Sequence, residues 1–313
     1  MTIKAKKLIL APMEGVIDAL MRELLTSINN YDLCITEFIR VVDALVPKHT
    51  FNKICPELSA GAKTLSQTPL RIQLLGQEPF WLAENAVRAI ELGSHGVDVN
   101  FGCPAKAVNK SKGGAVLLDD PELIYQIIHH IKQAVGSEEL VSAKIRLGFN
   151  DKEKFFDVVD AVKSAGANML TIHARTKKDG YKPPAYWHYI GELPRYTDMD
   201  IIANGEIWSK NSAIQCMQQT NTNLLMLGRG ALAMPNLANV IKNDEKIMPF
   251  TTVKTLLIRY SLLDHNNHSF YFSSRLKQWL KYLKLQYPEA EQLFNTIKTL
   301  SDKETIIKHI QAI

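Results

Sequence analysis

Eight short apolar runs recur along the first 230 residues, and they constrain the fold more than any other feature of the sequence. The runs are KLILAPM (7–13), LCITEFI (33–39), LRIQLLG (70–76), GVDVNFG (96–102), LVSAKIRLG (140–148), NMLTIHART (168–176), DIIANG (200–205) and LLMLGRG (224–230). Largely continuous apolar runs are typical of parallel strands that are buried on both faces. Because amphipathic stretches separate most of them, we predict strands that alternate with helices.

Eight strand–helix units in about 240 residues are the number in a (β/α)8 TIM barrel, an α/β fold. An open doubly wound sheet could also contain this alternation. We favour the barrel because polar residues follow nearly every run at its carboxyl end, where such barrels build their active sites.

The sequence changes character near residue 250, after which helical periods continue without another strand-like run. We therefore predict two domains, a TIM barrel over residues 1–245 and a small C-terminal helical bundle over 246–313. Residues 251–313 contain nine Lys and Arg against five Asp and Glu, so most of the net charge of +5 lies there. Lys277, Lys281 and Lys284 recur at helical spacing, as in either a solvated helix face or a surface that contacts RNA phosphates.

The overall composition is that of an ordinary globular protein, with 46% hydrophobic and 22% charged residues. There is no run of 18 apolar residues and no signal-peptide pattern, so we expect a cytoplasmic protein without a membrane span. The four cysteines are far apart and form no C-x-x-C pair, which predicts neither a disulfide scaffold nor a metal site.

The predicted strand ends carry many hydrogen-bonding and cationic side chains, and in a TIM barrel they all meet at one face. In chain order they are Pro12, Met13, Glu14, Glu37, Arg40, Gln73, Asn100, Cys103, Lys144, Arg146, His173, Arg175, Asn204, Gly205, Glu206, Gly228, Arg229 and Gly230. Any one of these residues could be a solvated side chain at the rim of the barrel. The whole set together predicts a polar pocket.

The last two strand ends, ANGEI and LGRGA, place glycines before helix-forming residues. Backbone N–H groups of such turns bind phosphate, often after strands seven and eight of a barrel, and Arg229 would add a charged donor. GRGALA (228–233) also fits the dinucleotide fingerprint G-x-G-x-x-A, but a helical tail follows in place of another strand. We favour the phosphate site.

Two strand-end residues suggest the chemistry. Lys144 could form a Schiff base, as in barrel aldolases, or hold an anionic cofactor. Cys103 could be a buried thiol, a nucleophile or a proton donor. With an ordinary pKa of about 8.5 a thiol is mostly protonated at pH 7, so a general acid needs no special tuning.

The segments APMEGV, NFGCPAKAV, KIRLG, HARTKK, ANGEI and GRGAL follow one another in this order, and with them the whole chain resembles the bacterial tRNA-dihydrouridine synthases. APMEGVIDALMRELL and YDLCITEFIRVVD are most similar to the C-type branch, which acts at position 16 of tRNA. The loop NKSKGGA departs from that branch, since Lys110 and Lys112 stand where glycines are common. The resemblance implies an FMN enzyme that uses NADPH to reduce the 5,6 double bond of a uridine in tRNA.

By the same resemblance, Cys103 protonates C5 of the flipped-out base after hydride reaches C6. The residues expected to bind FMN are Pro12, Met13, Glu14, Gln73, Lys144, His173, Asn204, Gly205, Glu206, Gly228 and Arg229. Those expected at the uracil or the nearby backbone are Asn100, Arg146 and Arg175, and those expected at the tRNA body are Arg40, Arg275 and Lys277. We expect a monomer with tRNA as its partner.

Three other functions compete with this interpretation. An FMN barrel oxidoreductase of the dihydroorotate type would explain the barrel and the phosphate site, but not the basic tail. A Schiff-base aldolase would use Lys144. A tRNA-binding module without catalysis would not need Cys103.

Overall fold

The computed structural model describes residues 4–263 and 269–313, and its centre is a closed barrel of eight parallel strands in chain order. The strands are β1 (Lys7–Leu10), β2 (Leu33–Arg40), β3 (Leu70–Leu75), β4 (Val97–Asn100), β5 (Val141–Arg146), β6 (Met169–His173), β7 (Asp200–Asn204) and β8 (Leu224–Leu227). Strand β8 pairs with β1 and closes the barrel. The predicted TIM barrel is confirmed.

Helices surround the barrel and continue beyond it. They are α1 (Ala19–Thr26), α2 (Lys48–Ile54), α3 (Pro79–Glu91), α4 (Lys106–Lys110), α5 (Pro121–Val135), α6 (Phe155–Ser164), α7 (Lys210–Thr220), α8 (Arg229–Ala233), α9 (Leu237–Asn243), α10 (Phe250–Leu263), α11 (Ser269–Leu283), α12 (Pro288–Ile297) and α13 (Lys303–Ala312). Four short 3-10 helices cover Pro56–Ala60, Gly114–Asp119, Trp187–Tyr189 and Leu193–Arg195.

The start of α5 shows how local sequence fixes a helix. Pro121 occupies the first helical turn, where a missing N–H costs nothing. The Asp120 side chain accepts a hydrogen bond from the Leu123 N–H at 3.1 Å and so caps the helix. Ile124, Ile127, Ile128 and Ile131 then recur on one buried face.

The connection from β6 to β7 contains no α-helix, only two 3-10 turns. Pro183 and Pro184 interrupt it and cannot donate backbone hydrogen bonds inside a helix. The segment therefore forms an irregular loop that runs over the mouth of the barrel.

The strand side chains alternate between the inside of the barrel and the layer beneath the helices. Part of the inside is apolar, since a cluster separate from the main core comprises Ile9, Ala11, Leu33, Ile35, Ile202, Leu224 and Met226, all from β1, β2, β7 and β8 or next to them. Strands β3, β4 and β5 instead contribute buried polar groups, Arg71, Gln73, Asp98 and Ser142.

The last four helices, α10 to α13, follow the barrel without another strand in the described residues, as predicted for a helical tail. The Asn236 side chain fixes the connecting segment, because its oxygen accepts from the Met248 N–H at 3.1 Å and its amide donates to the Lys246 carbonyl at 2.9 Å. Trp279 of α11 donates to the carbonyl of Leu232 in α8 at 3.0 Å. A bilayer-spanning helix is absent from the described parts of the chain.

Candidate active site

A pocket of about 490 Å³ opens at the carboxyl ends of the strands. Residues from all eight strand ends reach its wall, as expected for a TIM barrel. The eleven residues predicted to bind a cofactor all line it, namely Pro12, Met13, Glu14, Gln73, Lys144, His173, Asn204, Gly205, Glu206, Gly228 and Arg229. Asn100, Cys103 and Arg146 line it as well. The fold therefore brings predicted residues as far apart in sequence as Pro12 and Arg229 into one cavity.

Cys103 lies in the turn that follows β4, at the edge of the pocket. The Asn100 side-chain oxygen accepts hydrogen bonds from the N–H groups of both Gly102 and Cys103 at 2.9 Å. Asn109 donates to the Cys103 carbonyl at 2.9 Å. Of the four cysteines, all of which the structure describes, Cys103 is the one that is not buried.

The Cys103 thiol keeps its proton at neutral pH. Partial burial raises its pKa above the ordinary value, because a thiolate is poorly solvated there. The nearby carboxylate of Glu14 raises the pKa further, while Arg146 and Lys144 act in the opposite direction. A raised pKa suits a proton donor and does not suit a nucleophile, which requires the thiolate.

Lys144 lies on β5 with its amine inside the pocket. Burial, together with the nearby charge of Arg146, lowers the pKa of Lys144 to about 8. The amine donates to the side-chain oxygen of Asn204 at 3.2 Å. Lys144 can therefore supply a proton or a positive charge to a ligand and also lose its proton near neutral pH.

His173 ends β6 beside these cations. Burial lowers the pKa of His173 well below its ordinary value, and the charges of Arg146 and Lys144 add to that effect. The imidazole is neutral at pH 7 and offers one donor and one acceptor nitrogen.

The turns after β7 and β8 bring the backbone close to the pocket. Gly205 has a φ of +112°, and a Cβ there would lie 2.7 Å from the His173 ring. Gly228 and Gly230 also line the pocket, on either side of Arg229. Backbone N–H groups without side chains in front of them can approach a phosphate closely.

Glu206 organises the cationic side of the pocket. Its carboxylate accepts from Trp208 at 3.0 Å and pairs with Arg175 at 2.7 Å and Arg229 at 3.2 Å. Partial burial raises the pKa of Glu206, but the hydrogen bonds from Arg175 and Trp208 and the two arginine charges outweigh it, so the pKa is lowered. Glu206 is thus ionised and holds Arg229 in place.

Arg175 does not face the pocket, in contrast to its predicted place at the uracil. Its side chain is 0% exposed and donates through Nε to the carbonyls of Lys182 at 2.7 Å and Pro184 at 3.1 Å. The reason is local, since the Arg175 N–H donates to the His173 carbonyl at 2.6 Å. The strand alternation that would have placed both side chains on one side ends at this turn.

Arg146 lines the pocket, but its guanidinium also binds the surrounding loops. It donates to the Gly102 carbonyl at 2.8 Å and to the carbonyls of Thr176 and Gly180 at 3.1 Å. Arg146 therefore connects the Cys103 turn to the loop after β6.

The pocket wall also contains four aromatic residues that were not predicted from the sequence, Phe38, Tyr181, Trp208 and Tyr282. Tyr181 is 52% exposed, and its ring centroid lies 5.3 Å from the guanidinium carbon of Arg146 and 4.7 Å from that of Arg229. Tyr181 belongs to an irregular loop and Tyr282 to the helical tail, so no strand-end pattern marks them. Trp208 follows ANGEI directly, and this position was the available signal.

The three residues predicted at the tRNA body lie outside the pocket. Arg40 is exposed and donates to the Ser111 hydroxyl at 2.5 Å. Arg275 pairs with Asp18 at 2.9 Å and donates to the carbonyls of Gly15 and Val16, which joins α11 to the turn after β1.

A second groove, of about 450 Å³, lies on the helical tail. Arg275, Lys277, Lys281 and Lys298 contribute to its lining. Lys277 donates to the Leu300 carbonyl, whereas Lys284 pairs with Glu291 at 3.1 Å and does not line the groove. The predicted lysine stripe is therefore divided between a groove and a separate ion pair.

Known proteins resemble this chain over nearly its whole length. Proteins named tRNA-dihydrouridine(16) synthase are 52% identical over 306 residues in Shewanella oneidensis, covering 97% of each chain, and 51% identical over 309 residues in Escherichia coli K12, covering 98% of each. One from Vibrio parahaemolyticus is 50% identical over 307 residues, which is 97% of this chain and 95% of that protein.

A solved structure of morphinone reductase in complex with tetrahydroNAD superposes with a TM-score of 0.52. The match has 12% sequence identity and covers 77% of this chain and 88% of the other. At this identity the likeness shows a shared barrel fold and nothing about the substrate.

The family model for dihydrouridine synthase (Dus) matches residues 9–312, which includes the barrel and the helical tail. Together with the full-length relatives, this match shows that the chain belongs to the dihydrouridine synthase family.

Proposed function

We propose that this protein reduces the C5=C6 bond of a uridine in tRNA to 5,6-dihydrouridine, at position 16, with FMN bound and NADPH as the reductant. The observation that carries the proposal is the likeness of 50–52% to tRNA-dihydrouridine(16) synthases over 97–98% of the chain. The pocket supports it, because it contains a protonated thiol beside a cationic, glycine-lined cavity.

The pocket residues fit FMN. The backbone at Gly205 and Gly228, with Arg229, suits the phosphate, since N–H groups and a guanidinium both bind phosphate oxygens. Gln73 and Lys144 suit the polar edge of the flavin ring, because one can donate and accept and the other carries a positive charge. His173, Pro12 and the other predicted cofactor residues complete the wall of that site.

Cys103 delivers the proton. When bound, reduced FMN would supply the hydride for C6. The Cys103 thiol gives its proton to C5 and recovers one from solvent. Because burial raises the pKa of Cys103, the thiol is protonated over the whole neutral range. Asn100 holds the Cys103 turn through its two backbone hydrogen bonds.

The uridine must leave the base stack to reach this pocket. Asn100 and Arg146 provide polar groups at the mouth, and the half-exposed ring of Tyr181 offers a stacking surface for a base. Arg40, Arg275 and Lys277 stay candidates for the tRNA body, with the groove that Lys277, Lys281 and Lys298 line as the phosphate-binding surface. We propose a monomer of two domains, 1–245 and 246–313, that acts in the cytoplasm, where tRNA is modified.

Reconstitution tests this function. The purified protein is expected to contain FMN, with the flavin absorbance near ~450 nm, and to convert uridine to dihydrouridine in unmodified tRNA with NADPH. Mass mapping of nuclease fragments assigns the position. Reduction of orotate in place of tRNA would favour a dihydroorotate-type enzyme, and a colourless protein that borohydride traps on a carbonyl substrate would favour a Lys144 aldolase.

A further inference from the structure

Asp98 is a buried carboxyl group in the middle of the barrel, and no step described above uses it. It is 1% exposed and lies on β4 between two polar neighbours, because the strand register places Gln73 of β3 and Ser142 of β5 beside it. The insides of TIM barrels are mostly filled with branched aliphatic side chains, and a buried carboxyl group is costly unless it is hydrogen-bonded.

Both carboxyl oxygens of Asp98 accept hydrogen bonds. Gln73 Nε2 donates to Oδ2 at 2.7 Å, and the Ser142 hydroxyl donates to Oδ1 at 2.5 Å. Arg71 Nη1 in turn donates to the Ser142 oxygen at 3.0 Å. The carboxyl group is thus the acceptor on which donors from two sides converge.

The chain of hydrogen bonds continues from Gln73 to the reactive cysteine. Asn100 Nδ2 donates to Gln73 Oε1 at 2.8 Å, and Asn100 Oδ1 accepts from the backbone N–H groups of Gly102 and Cys103 at 2.9 Å. An amide side chain has one donating and one accepting end. The acceptor at Asp98 requires the NH2 end of Gln73 to point toward it. The two N–H donors of the Cys103 turn require the oxygen of Asn100 to point toward them. Each amide is therefore held in a single orientation.

We propose that Asp98 is a positioning residue that keeps the amides of Gln73 and Asn100 in one orientation and thereby holds the Cys103 turn against the pocket. Gln73, Asn100 and Cys103 line the pocket, whereas Asp98 does not, so Asp98 acts only through them. The role of Cys103 in this inference rests on the proposed function. The hydrogen-bond chain itself does not.

The positioning role holds for either protonation state of Asp98. Burial raises the pKa of Asp98, while the hydrogen bonds from Gln73 and Ser142 and the charges of Arg71 and Lys144 oppose that rise. A carboxylate and a carboxylic acid can both accept the proton of Gln73 Nε2 through Oδ2.

Two substitutions distinguish a role of Asp98 in orienting the amides from a role in merely filling space inside the barrel. Asp98→Ala removes the acceptor and leaves Gln73 Nε2 without a partner. Asp98→Asn can keep an oxygen toward Gln73, because the Ser142 hydroxyl can turn its proton to the Val97 carbonyl, 3.4 Å away, and accept from the new amide. If the alanine variant does not fold, Asp98→Ser replaces it, since its hydroxyl is too short to reach Gln73 in the same geometry.

The first measurement is the rate at which iodoacetamide alkylates Cys103 in flavin-free protein, with the site assigned by peptide mass. Cys34, Cys55 and Cys216 are buried, so the reaction reports on Cys103. We expect Asp98→Ala to change the rate by about tenfold, as expected when a hydrogen bond to a buried acidic group is lost, and Asp98→Asn to stay within about threefold of the original protein. Asn29→Ala, which removes a buried amide that binds Leu25 and Pro235, is the control and should leave the rate unchanged.

The second measurement is the reoxidation of dithionite-reduced enzyme by tRNA, which should slow in Asp98→Ala and recover in Asp98→Asn. Unchanged alkylation and reoxidation in a folded Ala or Ser variant would overturn the inference, and so would an Asn variant as impaired as the Ala variant. If the original protein fails to reduce tRNA, the proposed function is wrong, while the alkylation rates still decide the role of Asp98.

Discussion

At the scale of single residues, the pocket is unusual in carrying a lysine whose amine is partly deprotonated near neutral pH. The pKa of Lys144 is lowered to about 8 by burial, against about 10.4 in an unfolded chain. The folded protein therefore binds fewer protons than the unfolded chain between these values, and stability rises with pH across that window. The cost of burying Lys144 is present in full below about pH 8 and vanishes above about pH 10.4.

Lys144→Met should consequently stabilise the flavin-free protein at pH 7 and weaken FMN binding. We expect the melting temperature to rise by about 2 °C or more at pH 7 and by less at pH 10. Scanning calorimetry at both pH values, with fluorescence titration of FMN, checks this. If the melting temperature of Lys144→Met rises equally at both pH values, or falls at pH 7, then burying the charge of Lys144 does not destabilise the folded protein.

Two arginines predicted at the substrate should behave differently, because only one is buried. Arg175→Ala leaves Glu206 without its closest cation and the carbonyls of Lys182 and Pro184 without a donor. Removing one partner of a buried ion pair costs roughly 3–5 kcal/mol. Arg40→Ala, at an exposed site, should change stability by less than about 0.5 kcal/mol. Denaturant unfolding compares the two, and equal stability losses would contradict this assignment.

The polar residues of the pocket could be predicted from the sequence because a TIM barrel brings the carboxyl ends of its eight strands together at one face. This explains why Gln73, Lys144 and Asn204 were predicted together although they lie on different strands. Arg175 lies outside the pocket wall because β6 ends at His173 and the strand alternation does not extend to it. The hydrogen-bond role of Asp98 depends on the register between β3, β4 and β5, which no single segment of sequence reveals.

At the scale of elements, the eight strands were predictable and the loops between them were less so. The continuous apolar runs mark buried parallel strands whatever their neighbours are. The loop after β6 is set by Pro183, Pro184 and the anchoring of Lys182 by Arg175, a contact that forms only in the folded chain. For the same reason Tyr181 could not be placed in the pocket from its sequence alone.

The lysines of α11 and Lys284, which follows its last residue, lie on two different surfaces, and this division gives a prediction for tRNA binding. Lys281→Ala with Lys298→Ala removes two groove cations and should reduce the slope of log K against log salt by about 1.5–2. Lys284→Ala with Glu291→Ala removes an ion pair outside the groove and should leave that slope nearly unchanged. Filter binding at several salt concentrations measures both, and equal slopes for the two double variants would show that the groove does not bind phosphate.

At the scale of the whole molecule, the helical tail takes part in the pocket and is not merely attached to the barrel. Trp279 donates a hydrogen bond to the Leu232 carbonyl of α8. Tyr282, one turn later in α11, lines the cavity. Arg275 binds the turn after β1, which carries the pocket residues Met13 and Glu14. The tail that we propose to bind tRNA is thereby in direct contact with the wall of the pocket.

The proton donated by Cys103 is the central claim, and one measurement tests it most directly. Reduced wild-type and Cys103→Ala proteins, each loaded with FMN, are mixed with unmodified tRNA, and dihydrouridine at position 16 is quantified by mass spectrometry over time. We predict that Cys103→Ala retains FMN and tRNA binding and forms dihydrouridine at least about 100-fold more slowly, because it lacks the general acid. A Cys103→Ala protein that works at the wild-type rate would contradict the account.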